Sequence, residues 1–95
     1  MDIVFACEKD DYEFKNLINN TFSDVEELEN YSLSGMEEML LFLVPIASLS
    51  IQIAEFIIAH LSRDDKDRYV IINGKKKTFK GFSKDEIIDI LRELK

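Results

Sequence analysis

Residues 36–61 read MEEMLLFLVPIASLSIQIAEFIIAHL, and the way this stretch folds decides the architecture of the chain. Ser34-Gly35-Met36-Glu37 in front of it has the Ser-x-x-Glu form of a capping box, in which a serine oxygen and a glutamate each satisfy an orphan backbone N–H. The stretch therefore reads as a long apolar helix, opened near Met36 and running to Leu61. Pro45 lies inside it, lacks a backbone donor and crowds the preceding turn, so a kink or a fresh start is expected there. Ser48, Gln52 and Glu55 follow one another at spacings of four and three. They predict a narrow polar stripe along one side of the helix. The remaining circumference is apolar, more than the arc of about 100° or somewhat more that a surface helix needs. A sheet of a few short strands covers one side only, so the surplus predicts an interface on the helix. Its candidate residues are Leu40, Leu43, Val44, Ala47, Ile51, Ala54 and Ile58. The alternative is a plain core inside a compact monomer.

Working outward, Ile3-Val4-Phe5-Ala6-Cys7 is apolar on both parities and suits a strand covered on both faces. Asp10 and Asp11 are cap candidates for a helix whose Phe14, Leu17, Ile18 and Phe22 recur at helical spacing. Between Ser23 and Leu33 the pattern fits either an edge strand or an irregular segment. After Leu61, the polar run Ser62–Asp67 ends the long helix, and Tyr69-Val70-Ile71-Ile72 is a strand signal. Asn73-Gly74 is the strongest short hairpin turn, because a type I′ turn needs positive φ at both central positions. A two-residue loop sets Val70 opposite Lys77. A one-residue bulge instead sets Tyr69 opposite Phe79 and gathers the large groups on one face, and this bulged register is the expectation. The last helix opens on Ser83 with Glu86 completing a capping box and Phe82 and Ile87 placed as a hydrophobic staple. Ile87, Ile88, Leu91 and Leu94 then form its buried stripe.

The expected fold class is thus α+β, in the order β-α-(β)-α-β-β-α. A small sheet, made of the N-terminal strand and the C-terminal hairpin with 23–33 as a further edge strand if it is one, packs on three helices. The long apolar helix is central. The 95 residues form a single domain, 1–95, and 46% of them are hydrophobic, an ordinary globular share. The single Cys7 cannot close an internal disulfide, which fits a reducing compartment, the cytoplasm. Met1-Asp2-Ile3 turns acidic within ten residues and lacks the basic start and longer apolar run of a signal peptide.

The net charge of −7 is uneven. Up to Ser62 the chain carries 12 Asp and Glu against Lys9 and Lys15, a balance of −10; from Arg63 onward, 10 Lys and Arg face 7 Asp and Glu, a balance of +3. Such a distribution disfavours wrapping by nucleic acid and allows head-to-tail contacts between copies or with a partner, although surface charge with no specific role has the same pattern. Met39–Leu61 is also long enough to cross a bilayer, for which about 20 apolar residues suffice. A small membrane-associated protein using residues 39–61 is therefore the alternative functional class, disfavoured by Glu55 and the polar stripe.

No catalytic, cofactor or metal site is expected. His60 is a lone helical histidine, whereas zinc sites draw on clusters of His, Cys or carboxylate. Cys7 sits in an apolar strand with no base placed near it by sequence. Asp64-Asp65-Lys66-Asp67 lacks the glycine and closing glutamate of a calcium loop, since Val70 and Lys76 occupy those positions when Asp65 is first. Gly74-Lys75 lacks the upstream glycine of a phosphate loop. Lys75-Lys76-Lys77 with Lys80 could grip phosphates, but lysine on a hairpin commonly guards against edge-to-edge aggregation.

An apolar helix from Pro45 to Leu61 is followed by Arg68-Tyr69-Val70-Ile71-Ile72, Asn73-Gly74-Lys75, Thr78-Phe79-Lys80-Gly81 and a helix opened by Ser83-Lys84-Asp85-Glu86. This order resembles the effector-associated constant components of bacterial conflict systems, small proteins encoded beside variable effectors such as caspase-like, trypsin-like or TIR modules. Members of that family are typically rich in Ala and Arg and have a clearer second strand than 23–33 offers. The resemblance implies a non-enzymatic adaptor or regulator of a partner effector in antiphage immunity. The expected partners are thus an effector encoded nearby, further copies of the chain, or both.

Overall fold

In the computed structural model, which describes residues 2–28, 39–45, 50–61 and 67–93, eight elements follow one another along the chain. They are β1 (Asp2–Glu8), α1 (Tyr12–Thr21), β2 (Glu26–Leu28), β3 (Met39–Pro45), α2 (Ser50–His60), β4 (Arg68–Ile72), β5 (Lys75–Lys77) and α3 (Lys84–Glu93). The five strands form one antiparallel sheet in the order β2-β3-β1-β4-β5. The α+β class stands, and the 23–33 segment does contain an edge strand.

The long helix is corrected. Residues 39–61 do not form one helix: Met39–Pro45 is a strand, paired with β1 from Asp2↔Pro45 to Glu8↔Met39, and the helix is confined to Ser50–His60. The capping box at Ser34–Glu37 lies outside the described residues. Leu and Met favour helix in isolation, but the pairing surface of β1 on one side and β2 on the other outweighs a propensity of tenths of a kcal/mol. Pro45 assists, because a residue before proline is driven out of the α region, and here that residue is Val44.

Topology then dictates where α2 lies. Strands β3 and β4 flank β1 and both run antiparallel to it, so they are parallel to each other. A chain leaving one and entering the other must return along the sheet, and parallel strands need such a crossover. The crossover carries α2. On the face it covers, Ile3, Phe5 and Cys7 of β1, Phe42 and Val44 of β3, and Val70 and Ile72 of β4 join Phe14 and Ile18 of α1, Ile53, Phe56 and Ile57 of α2, and Ile87 and Leu91 of α3. Phe5 is the hub, with Phe14, Phe22 and Phe56 rings at 6.2, 6.1 and 5.4 Å. The opposite face holds a smaller cluster, Val4, Ala6, Leu41 and Ile71, to which no helix residue among the described residues belongs. β1 is therefore apolar on both sides, as its sequence requires.

Asp11 is the cap of α1, accepting from the Phe14 N–H at 3.2 Å. At α3 the capping box closes as read: the Ser83 N–H donates to Glu86 Oε1 at 3.0 Å, and the Glu86 N–H donates to Ser83 Oγ at 3.1 Å. The bonds from Ser83, backbone first and hydroxyl second, hold the Glu86 carboxyl below its ordinary pKa. Leu94 lies outside the described residues. Asn73 and Gly74 take φ of 52° and 76°, and the strands pair as Val70↔Lys77 and Ile72↔Lys75. The bulged register is thus corrected to the two-residue loop. Two left-handed residues already close the turn, leaving no extra residue to set Tyr69 against Phe79. Phe79 follows β5 instead and is buried, edge-on to Phe82 at 5.6 Å.

Candidate functional site

Three features stand out against this frame: a buried charge centre, an exposed ridge on α2, and two sheet edges of opposite charge.

The charge centre forms where β1, α1, α2 and β4 meet. Arg68 shares its strand parity with Val70 and Ile72, so its side chain turns into the helix-covered face and is fully buried. Its Nε and Nη2 donate to Asp11 Oδ2 and Oδ1 at 2.8 and 3.0 Å, a two-pronged grip. Nη1 donates to the His60 carbonyl at 2.9 Å, satisfying an orphan acceptor at the end of α2. Nη2 also reaches Glu13 at 3.5 Å, and the guanidinium lies 4.8 Å from the centre of the Phe14 ring. Burial works against the charge of Arg68, but the Asp11 hydrogen bond and charge, then those of Glu13, outweigh it and raise its pKa. Each of the three guanidinium nitrogens thus donates to a protein acceptor. The arrangement clamps four elements together.

Cys7 is the cross-strand partner of Arg68 and is fully buried. Burial, then the Asp11 charge, pushes its thiol up to about 12. A thiol so firmly protonated is a poor nucleophile at neutral pH. The His60 ring packs 4.8 Å from that of Phe56. Among the described residues no group of three His, Cys, Asp or Glu is placed to hold a metal ion.

The seven residues expected on one helical interface are divided by the structure. Leu40 and Leu43 are half-buried on β3, on opposite faces of the sheet, and Val44 is in the core. Ala54 is also in the core, and Ala47 lies outside the described residues. Only Ile51 and Ile58 share an exposed helical face, at 50% and 40% exposure. Much of the apolar surplus that motivated the interface therefore belongs to the sheet. Of the polar stripe, Ser48 lies outside the described residues. Gln52 and Glu55 face solvent and fasten α2 to its neighbours, Gln52 Nε2 donating to the Thr21 carbonyl at 3.0 Å and Glu55 meeting Lys84 at 3.1 Å. Among the described residues no helix is long and apolar enough to cross a membrane.

Two features were only partly read in the sequence. Arg68 was legible by parity, since an arginine two residues before a buried valine in a strand must face the same side. The sheet edges needed the topology. At one edge β2 exposes Glu26 and Glu27; at the other β5 exposes Lys75, Lys76 and Lys77. Lys15 reaches Glu27 at 3.2 Å, and Lys76 and Lys77 lie over the Tyr69 and Phe79 rings at 4.1 and 5.7 Å.

No family model matches the chain, and neither does a curated protein or a solved structure.

Proposed function

We propose that the chain is a non-enzymatic protein–protein interaction module, an adaptor or regulator acting on a partner effector of a bacterial conflict system in the cytoplasm. The observation that carries this reading is the ridge of Ile51 and Ile58 on α2. The two side chains are seven positions apart on one helical face, the spacing by which a helix is read in a partner's groove. Glu55 lies between them and is itself exposed. Among the described residues of α2, Ile51 and Ile58 are the large apolar side chains left exposed, while Ile53, Ala54, Phe56 and Ile57 are committed to the core. The buried charge centre supports the same reading in a different way, because it spends the chain's best-placed polar groups on rigidity. The effector as partner comes from the resemblance of the element order to effector-associated constant components.

Pull-down of the products of adjacent genes, with wild type and the Ile51→Asp/Ile58→Asp variant as baits, tests the proposal. Burying an isoleucine is worth about 1.5–3 kcal/mol, so the variant should retain the partner at least tenfold less well. A folded double variant that captures the same partner equally well would rule out the ridge, and a wild-type bait that retains none of these products would rule out the function.

A further inference from the structure

We infer that this protein associates with itself head to tail through its sheet edges, the acidic β2 of one copy adding to the basic β5 of the next. This goes beyond the reading above and uses a different surface from the α2 ridge.

The outermost strands are β2 and β5, and among the described residues each pairs on one side only. An edge strand presents a row of backbone donors and acceptors that another strand can complete. The charges decide which strand that is. Two β5 edges meeting antiparallel set lysine opposite lysine whatever the register, because all three residues of the strand are lysine. Two β2 edges centred on Glu27 set glutamate opposite glutamate. Like charges directly opposite each other are destabilising, so both symmetric pairings are disfavoured. The mixed pairing alone brings Glu26 and Glu27 against Lys75, Lys76 and Lys77. The lysines that guard β5 against its own kind thus select β2 as its one compatible partner within this chain.

Side-chain placement favours the contact on both sides of the sheet. Glu27 pairs with Phe42 of the main core and so stands on the helix-covered face, whereas Glu26 pairs with Leu43 and stands on the other. On β5, Lys75 and Lys77 oppose Ile72 and Val70 on the helix-covered face, and Lys76 opposes Ile71 on the other. Each edge therefore offers charge above and below the plane of the joint. A contact between unlike patches is heterologous, so it extends from copy to copy as an open chain, or as a ring where the rotation closes, rather than as a two-fold dimer. The strands are three residues each, so the joint is weak and dominated by exposed charges, which salt screens within about 10 Å at 0.1 M.

Sedimentation velocity tests this with four samples: wild type, E26K/E27K, K75E/K76E/K77E, and an equimolar mixture of the two variants. At roughly 20 mM salt the wild-type weight-average mass should rise with protein concentration, and at roughly 500 mM it should return to that of the monomer. Each variant alone should stay monomeric at low salt, one having two basic edges and the other two acidic ones. Their mixture should recover species heavier than a monomer. Far-UV circular dichroism verifies folding, and the single changes E26K and K76E, which spare the Lys15–Glu27 pair, serve if a multiple variant does not fold. A wild type that stays monomeric at millimolar concentration in low salt overturns the inference. So does assembly that either charge reversal leaves unchanged, or a mixture of folded variants that remains monomeric. The Ile51→Asp/Ile58→Asp variant should assemble like wild type, so loss of partner binding and loss of self-association are separable outcomes.

Discussion

Two of the ion pairs that hold the helices of this molecule in place differ in almost everything except their chemistry. Arg68 grips Asp11 at 2.8 and 3.0 Å with both side chains essentially out of contact with water. Lys84 meets Glu55 at 3.1 Å with side chains 47% and 58% exposed. The exposed pair gains little, because water already solvates both charges and each long side chain loses freedom in holding the other. The buried pair has a different balance. Desolvating two charges costs several kcal/mol each, and the paired hydrogen bonds, the His60 carbonyl, Glu13, the Phe14 N–H and the Phe14 ring offset it. It adds little net stability over an apolar replacement, but it makes any arrangement that separates Arg68 from Asp11 expensive. One pair decorates the surface; the other specifies how α1, α2 and β4 meet.

The comparison breaks most visibly at Arg68. Replacing it with Met should destabilise the fold by about 3–5 kcal/mol, because the buried Asp11 carboxylate loses both hydrogen bonds and the charge of the guanidinium. That is a large part of the roughly 5–15 kcal/mol available to a domain. Urea unfolding measures it. The double change Arg68→Met with Asp11→Asn, which keeps a cap oxygen for the Phe14 N–H, should be less damaging than Arg68→Met alone, since the buried charge is then gone. A double variant worse than the single one would mean that the pair contributes net stability rather than specificity.

A subtler effect of the same buried region is its response to alkali. Cys7 lies across from Arg68, and its thiol is pushed from the ordinary 9.0 up to about 12 by burial, then by Asp11. The native state therefore keeps a proton that the unfolded chain releases above about pH 9. Native proteins that bind more protons than their unfolded state lose stability as pH rises, here by up to about 1.4 kcal/mol per unit between about 9 and 12. Denaturant melts over that range should show a steeper loss for wild type than for Cys7→Ala, which has no thiol to ionise. Equal slopes would mean that Cys7 reaches solvent on a local opening rather than on global unfolding.

How much of this could be read in the sequence follows from how local each signal is. The Ser83–Glu86 box, the Asp11 cap and the Asn73-Gly74 turn are each written within four residues and stand where they were expected. β3 was not legible that way, because Met39–Val44 carries the same apolar run as a helix would, and pairing with β1 decides between them. Two hints were present. Like Ile3–Cys7, the run is apolar on both parities, and Pro45 restrains Val44 to extended backbone. The expected interface depended on a continuous helix, so it divided when the helix did, leaving Ile51 and Ile58. Arg68 and Asp11 are 57 positions apart, and no local pattern links them.

The smallest expected effect completes the comparison from its exposed side. Lys84→Ala should change stability by no more than about 0.5 kcal/mol in either direction, because Glu55 is simply solvated when its partner goes. The little that it does cost should vanish in roughly 0.5 M salt, where exposed charges are screened within a few ångströms. The Arg68→Met loss should persist at the same ionic strength, since ions do not enter the core to screen a buried charge. Denaturation of both variants at low and high salt therefore separates two contacts that distance alone makes look alike. If Lys84→Ala proved costly and insensitive to salt, the cause would be the stem of Lys84 covering apolar surface between α2 and α3, and the contact would belong to packing rather than to charge.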